Sequence, residues 1–169
     1  MKKIPLNLSE YAEEAFKMLE NGGLLVSSIG KNNKANVMTI GWWLLGRSYH
    51  DHPVSVIAIR PATYTFKLLE EVPEYVISVP TPELREAVDI CGTASGRDID
   101  KFEVTGLTPI KSEHVKPPSI KECPINIECR IYHKERPPHM ILTPEHRMKP
   151  LTAQHTIYFS EVLGTYRLY

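Results

Sequence analysis

The chain has 169 residues, 42% of them hydrophobic and 24% charged, as is usual for folded globular proteins rather than disordered ones. Lys plus Arg and Asp plus Glu both number 20, so the sequence lacks the basic surplus of a nucleic-acid-binding protein. It also lacks a signal peptide and an apolar run of about 18 residues, which predicts a soluble cytoplasmic protein without a membrane span. We expect one domain over residues 1–169.

The three cysteines are Cys91, Cys123 and Cys129. An odd number without a secretion signal predicts free thiols rather than disulfides. The spacing of the last two matches no common zinc motif, so we expect all three to be small buried residues.

Near the N-terminus, apolar residues at helical spacing predict a helix that covers one face of a sheet: Leu8, Ala12, Ala15, Phe16 and Leu19. Asn7 and Glu10 have the spacing of a capping box, and Asn21 with the two glycines after it predicts the helix end. A short strand over residues 23–29 and a turn over residues 30–34 follow.

The central stretch, residues 36–65, contains two apolar runs that predict strands, over residues 37–45 and 54–59. Gly41 weakens the first strand unless another group approaches the backbone closely. Thr39 and Gly41 would share one face and leave a small, polar-edged concavity. The alternative is that Gly41 marks a strand bend, and spacing alone does not separate the two.

Trp42 and Trp43 favour packing in the core or in an interface over stacking on a cofactor. His50, Asp51 and His52 are metal-binding residue types in a row. Adjacent side chains on a turn rarely converge on one ion, so we predict a solvated loop here.

Arg60 follows the second strand, and Thr63, Tyr64 and Thr65 begin a predicted helix that ends near Glu71. A cation and hydroxyls beside a helix N-terminus favour an anion, because the unpaired backbone N–H groups and the helix dipole attract it. This arrangement predicts a phosphate site.

After a strand over residues 75–79, Thr81 and Pro82 predict the start of the next helix. The loop that follows, residues 91–102, combines glycines, hydroxyls and cations and can present backbone N–H groups to a phosphate or a polar ring edge. Its spacing is not that of a Walker A loop or a dinucleotide fingerprint. The alternative is a polar connector in which Asp98 caps a short helix.

Residues 105–118 predict a loop, and residues 125–132 alternate apolar and polar side chains as in a half-buried strand. Residues 133–150, rich in proline and histidine, predict an ordered excursion over the surface. A strand over residues 156–163 and an aromatic end over residues 164–169 complete the chain. Mostly antiparallel strands with a few short helices between them predict a mainly β fold, a barrel or a sandwich.

Four segments resemble the flavin reductase-like family, in its flavoredoxin group: NVMTIGWW (36–43), VSVIAIRPATYT (54–65), VISVPTPELREAVDICGTASGRDIDKFEVTGL (76–107) and IKECPINIECRIY (120–132). Their order and spacing match as well. The resemblance implies an FMN-binding split β-barrel, Greek-key and mostly antiparallel, with short peripheral helices. Residues 133–150 depart from the family pattern, which puts the substrate in doubt, although His155, Thr156, Glu161 and Val162 preserve a later family strand.

The resemblance also assigns FMN-binding roles by position. At the isoalloxazine edge it implies Asn36, Met38 and Thr39. Along the ribityl-phosphate path it implies Ala58 and Arg60. At the phosphate, from the helix start and the loop that closes over it, it implies Tyr64, Thr65, Ser95, Gly96, Arg97 and Lys101. Of Arg97 and Lys101, one would touch FMN and the other would pair with Asp98 or Asp100.

The function so implied is that of a homodimeric FMN-dependent oxidoreductase with FMN near the dimer interface. It would take electrons from NADH or NADPH, or transfer them through FMN to a small-molecule or protein acceptor. We expect no catalytic side chain, because hydride moves directly to or from the flavin. An FMN-binding carrier or partner-docking protein without turnover stays open as the alternative. A metal-dependent hydrolase has only the count of seven histidines in its favour, and we expect no bound metal, nucleic acid or membrane.

Overall fold

The fold is given by a computed structural model that describes residues 2–47, 52–142, 150 and 153–169. In chain order, the strands and α-helices of these residues are β1 (Lys3–Pro5), α1 (Leu8–Glu20), β2 (Leu24–Ile29), β3 (Ala35–Ile40), β4 (Trp43–Arg47), β5 (Pro53–Ile59), α2 (Tyr64–Glu71), β6 (Glu74–Val79), α3 (Arg85–Thr93), α4 (Lys101–Thr105), β7 (Pro109–Ile110), β8 (Ser119–Ile120), β9 (Ile125–Glu135) and β10 (Thr156–Leu168). A 3-10 turn, Pro82–Leu84, leads into α3.

One antiparallel sheet contains most of the strands, in the order β3–β2–β6–β9–β10–β5–β4, and β1 pairs with the end of β10. The pairing of β9 with β10 shifts register between Phe159 and Ser160 and again between Val162 and Gly164. Such bulges bend a strand, which lets β10 pair with β5 at one end and with β1 at the other. The strands β3 and β4 follow each other in the chain but lie at opposite ends of the sheet order, so each has a free edge among the described residues.

Two apolar clusters make up the core, and β2 contributes to both because it is buried on its two faces. Leu24 and Val26 pack in the larger cluster with α1 and the inner faces of the other strands. Leu25 faces the second cluster, which lies under α3 and α4. Because β2 is buried on both faces, its sequence is a continuous run of apolar and small residues and does not alternate between apolar and exposed polar ones.

The predicted strand over residues 37–45 is wrong as a single element. β3 ends at Ile40, β4 begins at Trp43, and Gly41 and Trp42 form a bend between them. The bend is needed because β3 pairs with β2 whereas β4 pairs with β5.

The two tryptophans beside this bend have different environments. Trp43 is buried as predicted, with its indole N–H donating to the Ser55 hydroxyl at 2.9 Å and its ring centre 5.3 Å from that of Phe16. Trp42 is 43% exposed and does not pack in the core, so for this residue the interface alternative stays a prediction.

The predicted half-buried strand is also wrong over its first half, because Ile125–Cys129 of β9 is buried on both faces. The polar face is covered by the segment that follows β7. Glu128 accepts hydrogen bonds from the backbone N–H groups of Glu113 and His114 at 2.8 and 2.6 Å. A local period-2 pattern does not show that another part of the chain covers the polar side.

Asn126 fixes the same covering segment from the centre of β9. Its Oδ1 accepts from the Ile120 backbone N–H at 3.0 Å and from the Ser78 hydroxyl at 2.6 Å. Its Nδ2 donates to the carbonyl oxygens of Cys123 and Ile120 at 3.0 and 3.3 Å. The buried amide therefore joins β6, β9 and the turn after β8.

Several smaller predictions about the chain have clear outcomes. The capping box is confirmed, since Glu10 accepts from the Asn7 backbone N–H at 2.6 Å. The cysteines are confirmed as free and buried. Asp100, not Asp98, caps α4 by accepting from the backbone N–H groups of Phe102 and Glu103 at 3.1 and 3.3 Å.

Three further differences concern strand boundaries. β10 continues through Gly164 to Leu168, and the glycine is needed because a Cβ there would lie 2.7 Å from the His114 ring. The loop predicted over residues 105–118 contains β7, and β1 has no signal in the sequence pattern.

Two predicted loops fall partly outside the described residues. The predicted solvated loop at residues 50–52 lies outside them except for His52, and so do residues 143–149 of the predicted surface excursion. Among the described residues, no helix is long and apolar enough to cross a membrane.

We expect Asn126→Ala to lower the free energy of unfolding by about 2–4 kcal/mol, because it leaves buried backbone groups without partners. Urea denaturation measures the effect. Asn32→Ala is the control, since its Oδ1 accepts only the exposed Lys34 N–H, at 3.0 Å, and its loss should cost less than about 1 kcal/mol. Equal costs for the two variants would contradict the importance assigned to the buried amide.

Candidate functional site

A cleft of about 520 Å³ lies where the free edge of β3, the end of β5, the start of α2 and the loop between α3 and α4 meet. All the site residues predicted from the sequence line it, namely Asn36, Met38, Thr39, Ala58, Arg60, Tyr64, Thr65, Ser95, Gly96, Arg97 and Lys101. The structure thus brings together residues from four separate segments. Their role in holding a cofactor stays a prediction.

The chain reverses from β5 into α2 through a turn that Thr63 stabilises. The Thr63 hydroxyl accepts from the Phe66 backbone N–H at 3.2 Å and donates to the carbonyl oxygen of Arg60 at 2.9 Å. The cap fixes the first turn of α2 against the cleft, where backbone N–H groups of a helix have no partner within the helix. This end of the cleft is therefore suited to an anion.

Asn36 is the buried contact at which three of the cleft's segments meet. Its Nδ2 donates to the Thr65 hydroxyl at 3.0 Å, which ties β3 to the start of α2. A Cβ built on Gly96 would lie 1.9 Å from Asn36 Oδ1 and 2.9 Å from the Tyr64 ring. Only glycine allows the loop to approach this closely. The resemblance assigned Asn36 to the isoalloxazine edge and the helix start to the phosphate. In the structure the side chain of Asn36 contacts the helix start directly.

The sequence left open whether Thr39 and Gly41 leave a concavity or whether Gly41 marks a strand bend. The Thr39 hydroxyl donates to the carbonyl oxygen of Val88 at 2.5 Å, so it holds α3 against β3. Gly41 lies in the bend, and a Cβ there would meet nothing within 4 Å. The bend and the concavity are both present, because the open space beside Gly41 belongs to the cleft.

Three cations line the cleft, and none of its described lining residues is a carboxylate. The Arg97 guanidinium donates to the carbonyl oxygens of Ala62 and Thr63 at 3.0 and 3.3 Å and lies 5.6 Å from the centre of the Tyr64 ring. Arg60 is exposed at the rim, and the described residues offer its side chain no hydrogen bond or ion pair. The local charge is therefore positive.

Lys101 is the third cation and is only 5% exposed. Its ammonium donates to the carbonyl oxygen of Cys91 at 2.8 Å, and burial lowers the pKa of Lys101. Burial also raises the pKa of the neighbouring Cys91 thiol to about 11, so this thiol is neutral at physiological pH. The predicted pairing of Arg97 or Lys101 with Asp98 or Asp100 is wrong for the described residues, because backbone carbonyls take that place.

A sequence profile described as "Flavin reductase like domain" matches residues 17–167. The chain belongs to the flavin reductase like family. A protein of Archaeoglobus fulgidus, described as uncharacterized, is 36% identical over 140 residues, which is 83% of this chain and 68% of that one. The match thus leaves about a third of that relative without a counterpart.

Solved structures of the same fold agree with the family assignment. Flavoredoxin of Desulfovibrio vulgaris (Miyazaki F) superposes with a TM-score of 0.69 and 27% identity, covering 86% of this chain and 68% of that one. An FMN-binding domain of a flavin reductases-like enzyme from Shewanella baltica superposes with a TM-score of 0.69 and 18% identity, covering 98% and 77%. The predicted split β-barrel with short helices is confirmed.

Several residues that line the cleft were not predicted as site residues. They comprise Ile40, Gly41, Trp42, Ala62, Thr63, Cys91, Gly92, Thr93, Ala94 and His155. Gly41, Thr63 and the loop after Cys91 carried a signal, because glycine in a strand, a helix start and a glycine-bearing loop had each been noted. His155 carried none from spacing, because only the pairing of β10 with β5 brings its neighbourhood to the cleft.

No group of three His, Cys, Asp or Glu side chains within the described ranges is arranged to hold a metal ion. His50, Asp51 and His146 lie outside those ranges. The geometry therefore adds nothing to the metal-dependent hydrolase hypothesis.

We expect Gly96→Ala to lower the free energy of unfolding by about 1–3 kcal/mol, because the new methyl group displaces Asn36 or the loop itself. Thermal unfolding followed by circular dichroism measures the change. Gly46→Ala is the matched control, since a Cβ at Gly46 meets nothing within 4 Å and Gly46 lies outside the cleft. An unchanged melting temperature for Gly96→Ala would show that the close contact is not required.

Proposed function

We propose that residues 1–169 act as one domain that binds FMN in this cleft and works as an FMN-dependent oxidoreductase. It would accept electrons from NADH or NADPH as a flavin reductase, or pass them as a flavoredoxin to a small-molecule or protein acceptor. The observation that carries the proposal is a cleft with three cations, a helix start at one end and no carboxylate among its described lining residues, in a member of the flavin reductase like family.

The phosphate of FMN fits the end formed by the start of α2. Charged donors form the stronger hydrogen bonds to phosphate, and Arg60 is the cation that no described residue engages. Arg97 already donates to two backbone carbonyls, which suits it to hold the loop in place. Lys101 has three donors and uses one of them on Cys91, so it retains donors for an anion.

The flavin ring fits the opposite end, along β3 and the bend that follows it. The free edge of β3 offers the backbone groups of every second residue of the strand, and Ala58 with Gly41 leaves room for a flat ring. A ring of this kind needs a mostly apolar slot with a few polar groups. When bound, FMN supplies the hydride and electron chemistry, and the protein's part is binding and orientation.

The absorbance spectrum of the freshly purified protein tests the proposal. We expect bands near those of free flavin, and after denaturation a released flavin that chromatography identifies as FMN and not FAD. Protein that is colourless, and whose melting temperature does not rise when FMN is added, would contradict it. Anaerobic mixing with NADH and, separately, with NADPH then tests turnover, which rapid loss of the flavin band would support.

A flavin-binding carrier or partner-docking protein without turnover is the second candidate. The described lining residues do not separate it from the oxidoreductase, because hydride moves directly to or from the flavin and needs no catalytic side chain. FMN that binds tightly but keeps its absorbance in the presence of both nicotinamides would support the carrier over the oxidoreductase.

We also propose a homodimer, as the family resemblance implies. An exposed apolar groove across one face of β4, β5, β10 and β9 is a suitable contact surface, with Leu44 56% exposed and Tyr132 60% exposed. A second copy could pack the same face here in a self-complementary way. Light scattering should give twice the mass of one chain, and Leu44→Glu should shift the protein toward the monomer. A monomer in the unmodified protein would remove this part of the proposal.

A cytoplasmic location is part of the same proposal. The buried cysteines are all free thiols, which is usual in a reducing compartment. Fractionation of the source cells with an antibody against the protein tests it.

We expect Arg60→Ala to weaken FMN binding by more than about 1 kcal/mol, which is roughly fivefold in Kd, because it removes a charged donor. Flavin fluorescence quenching measures the affinity. Arg130→Ala removes the same charge from an exposed site on β9, where Arg130 pairs with Glu74 at 3.2 Å outside the cleft. The control should change the affinity less than about twofold. Equal losses would mean that only net charge matters.

A further inference from the structure

The turn between α1 and β2 contains an asparagine followed directly by a glycine, Asn21 and Gly22. Both residues are exposed to solvent. Such a pair is the one most open to cyclisation, because glycine has no side chain to hinder attack of its backbone nitrogen on the neighbouring side-chain amide. Every other asparagine of the chain precedes a larger residue, namely Asn7, Asn32, Asn33, Asn36 and Asn126.

The backbone N–H of Gly22 has no hydrogen-bond acceptor among the described residues. The N–H groups on either side of it, of Asn21 and Gly23, donate to the carbonyl oxygen of Met18 at 3.1 and 3.0 Å. The Asn21 side chain is held as well, since its Nδ2 donates to the carbonyl oxygen of Lys17 at 2.7 Å. The turn is thus ordered by its neighbours, while the Gly22 nitrogen can lose its proton without breaking a contact of the fold.

Arg85, in the first turn of α3, lies against the same peptide unit. Its Nη1 donates to the carbonyl oxygen of Asn21 at 3.2 Å, and its Nε donates to the Asp89 carboxylate at 3.0 Å. A Cβ built on Gly22 would lie 3.0 Å from this Nη1. The Asn21 carbonyl and the Gly22 nitrogen share one delocalised peptide bond, so charge on the deprotonated nitrogen spreads to that oxygen. A cation that donates to the oxygen stabilises this charge.

We propose that Asn21 is a site of self-modification promoted by Arg85. The Gly22 nitrogen loses its proton to solvent and bonds to Asn21 Cγ, while the bond from Cγ to Nδ2 breaks and the amide nitrogen leaves as ammonia. Water then opens the five-membered succinimide at either of its carbonyls, which gives aspartate or isoaspartate. The sum is hydrolysis of one side-chain amide to a carboxylate and ammonia, with no oxidation or reduction.

The modification reaches the wall of the cleft through Gly23. The isoaspartate product adds one carbon to the backbone immediately before the two glycines. Gly23 cannot yield easily, since a Cβ on it would lie 2.6 Å from the carbonyl oxygen of Ile40 and 2.8 Å from Thr39 Cγ2. Thr39 and Ile40 both line the cleft. A longer backbone in the turn therefore pushes on the end of β3.

Peptide mapping of the folded protein during incubation at mildly alkaline pH tests the proposal. Trypsin releases residues 18–31 as one peptide, and we expect its mass to rise by the difference between an amide and a carboxylic acid. Arg85→Gln should slow this conversion about threefold, as expected for an exposed cation. Arg130→Gln removes the same charge from a distant site and should leave the rate unchanged.

The direction of the Arg85 effect separates promotion from a merely structural role. Loosening the turn alone would speed the conversion, because cyclisation needs backbone movement. Arg85→Lys should restore part of the rate, since an ammonium can donate to the same carbonyl. In urea, where the contact is lost, Arg85→Gln should convert at the rate of the unmodified sequence. No conversion in the folded protein, an equal or faster rate in Arg85→Gln, or the same slowing in urea would overturn the proposal.

The Asn21→Asp variant tests the effect on the cleft wall, because it has the new charge without the longer backbone. The isoaspartate form, separated by chromatography, should melt at a lower temperature than Asn21→Asp. Equal melting temperatures would contradict the push on β3. None of these measurements involves a flavin, so their outcome is independent of the FMN proposal.

Discussion

The contact between Asn36 and the start of α2 is the constraint on which the candidate site depends. The side chain of Asn36 is buried, it bonds to Thr65, and Gly96 comes so close that no Cβ fits between them. Because β3, α2 and the loop after α3 meet here, none of them can shift without disturbing the other two. The positive end of the cleft is consequently fixed before any ligand arrives, which reduces the ordering cost of binding.

The sheet explains why such a junction is open to solvent. β3 and β4 are neighbours in the chain but end the sheet order on opposite sides, and the bend at Gly41 and Trp42 separates them. The free edge of β3 can then face a ligand while its other edge is held by β2. α3 closes the remaining side through the bond from Thr39 to Val88. The cleft is thus a consequence of the split between these two strands.

The three cations decide which class of ligand the cleft favours. Backbone carbonyls hold two of the three cations, Arg97 and Lys101, whereas no described residue engages Arg60. Carbonyls orient a cation without neutralising it, so the local field stays positive, as an anion-binding site requires.

The sequence by itself determined the local features: the capping box at Asn7, the helix start at Thr63 and the residues that line the cleft through their family segments. These follow from neighbours in the chain and from the resemblance, so long-range packing was not needed to find them. Only the tertiary structure decided that Glu128 is buried and that the Thr39 hydroxyl holds α3. Each depends on which distant segment covers a given face, and a periodic pattern records whether a face is apolar but not what packs on it.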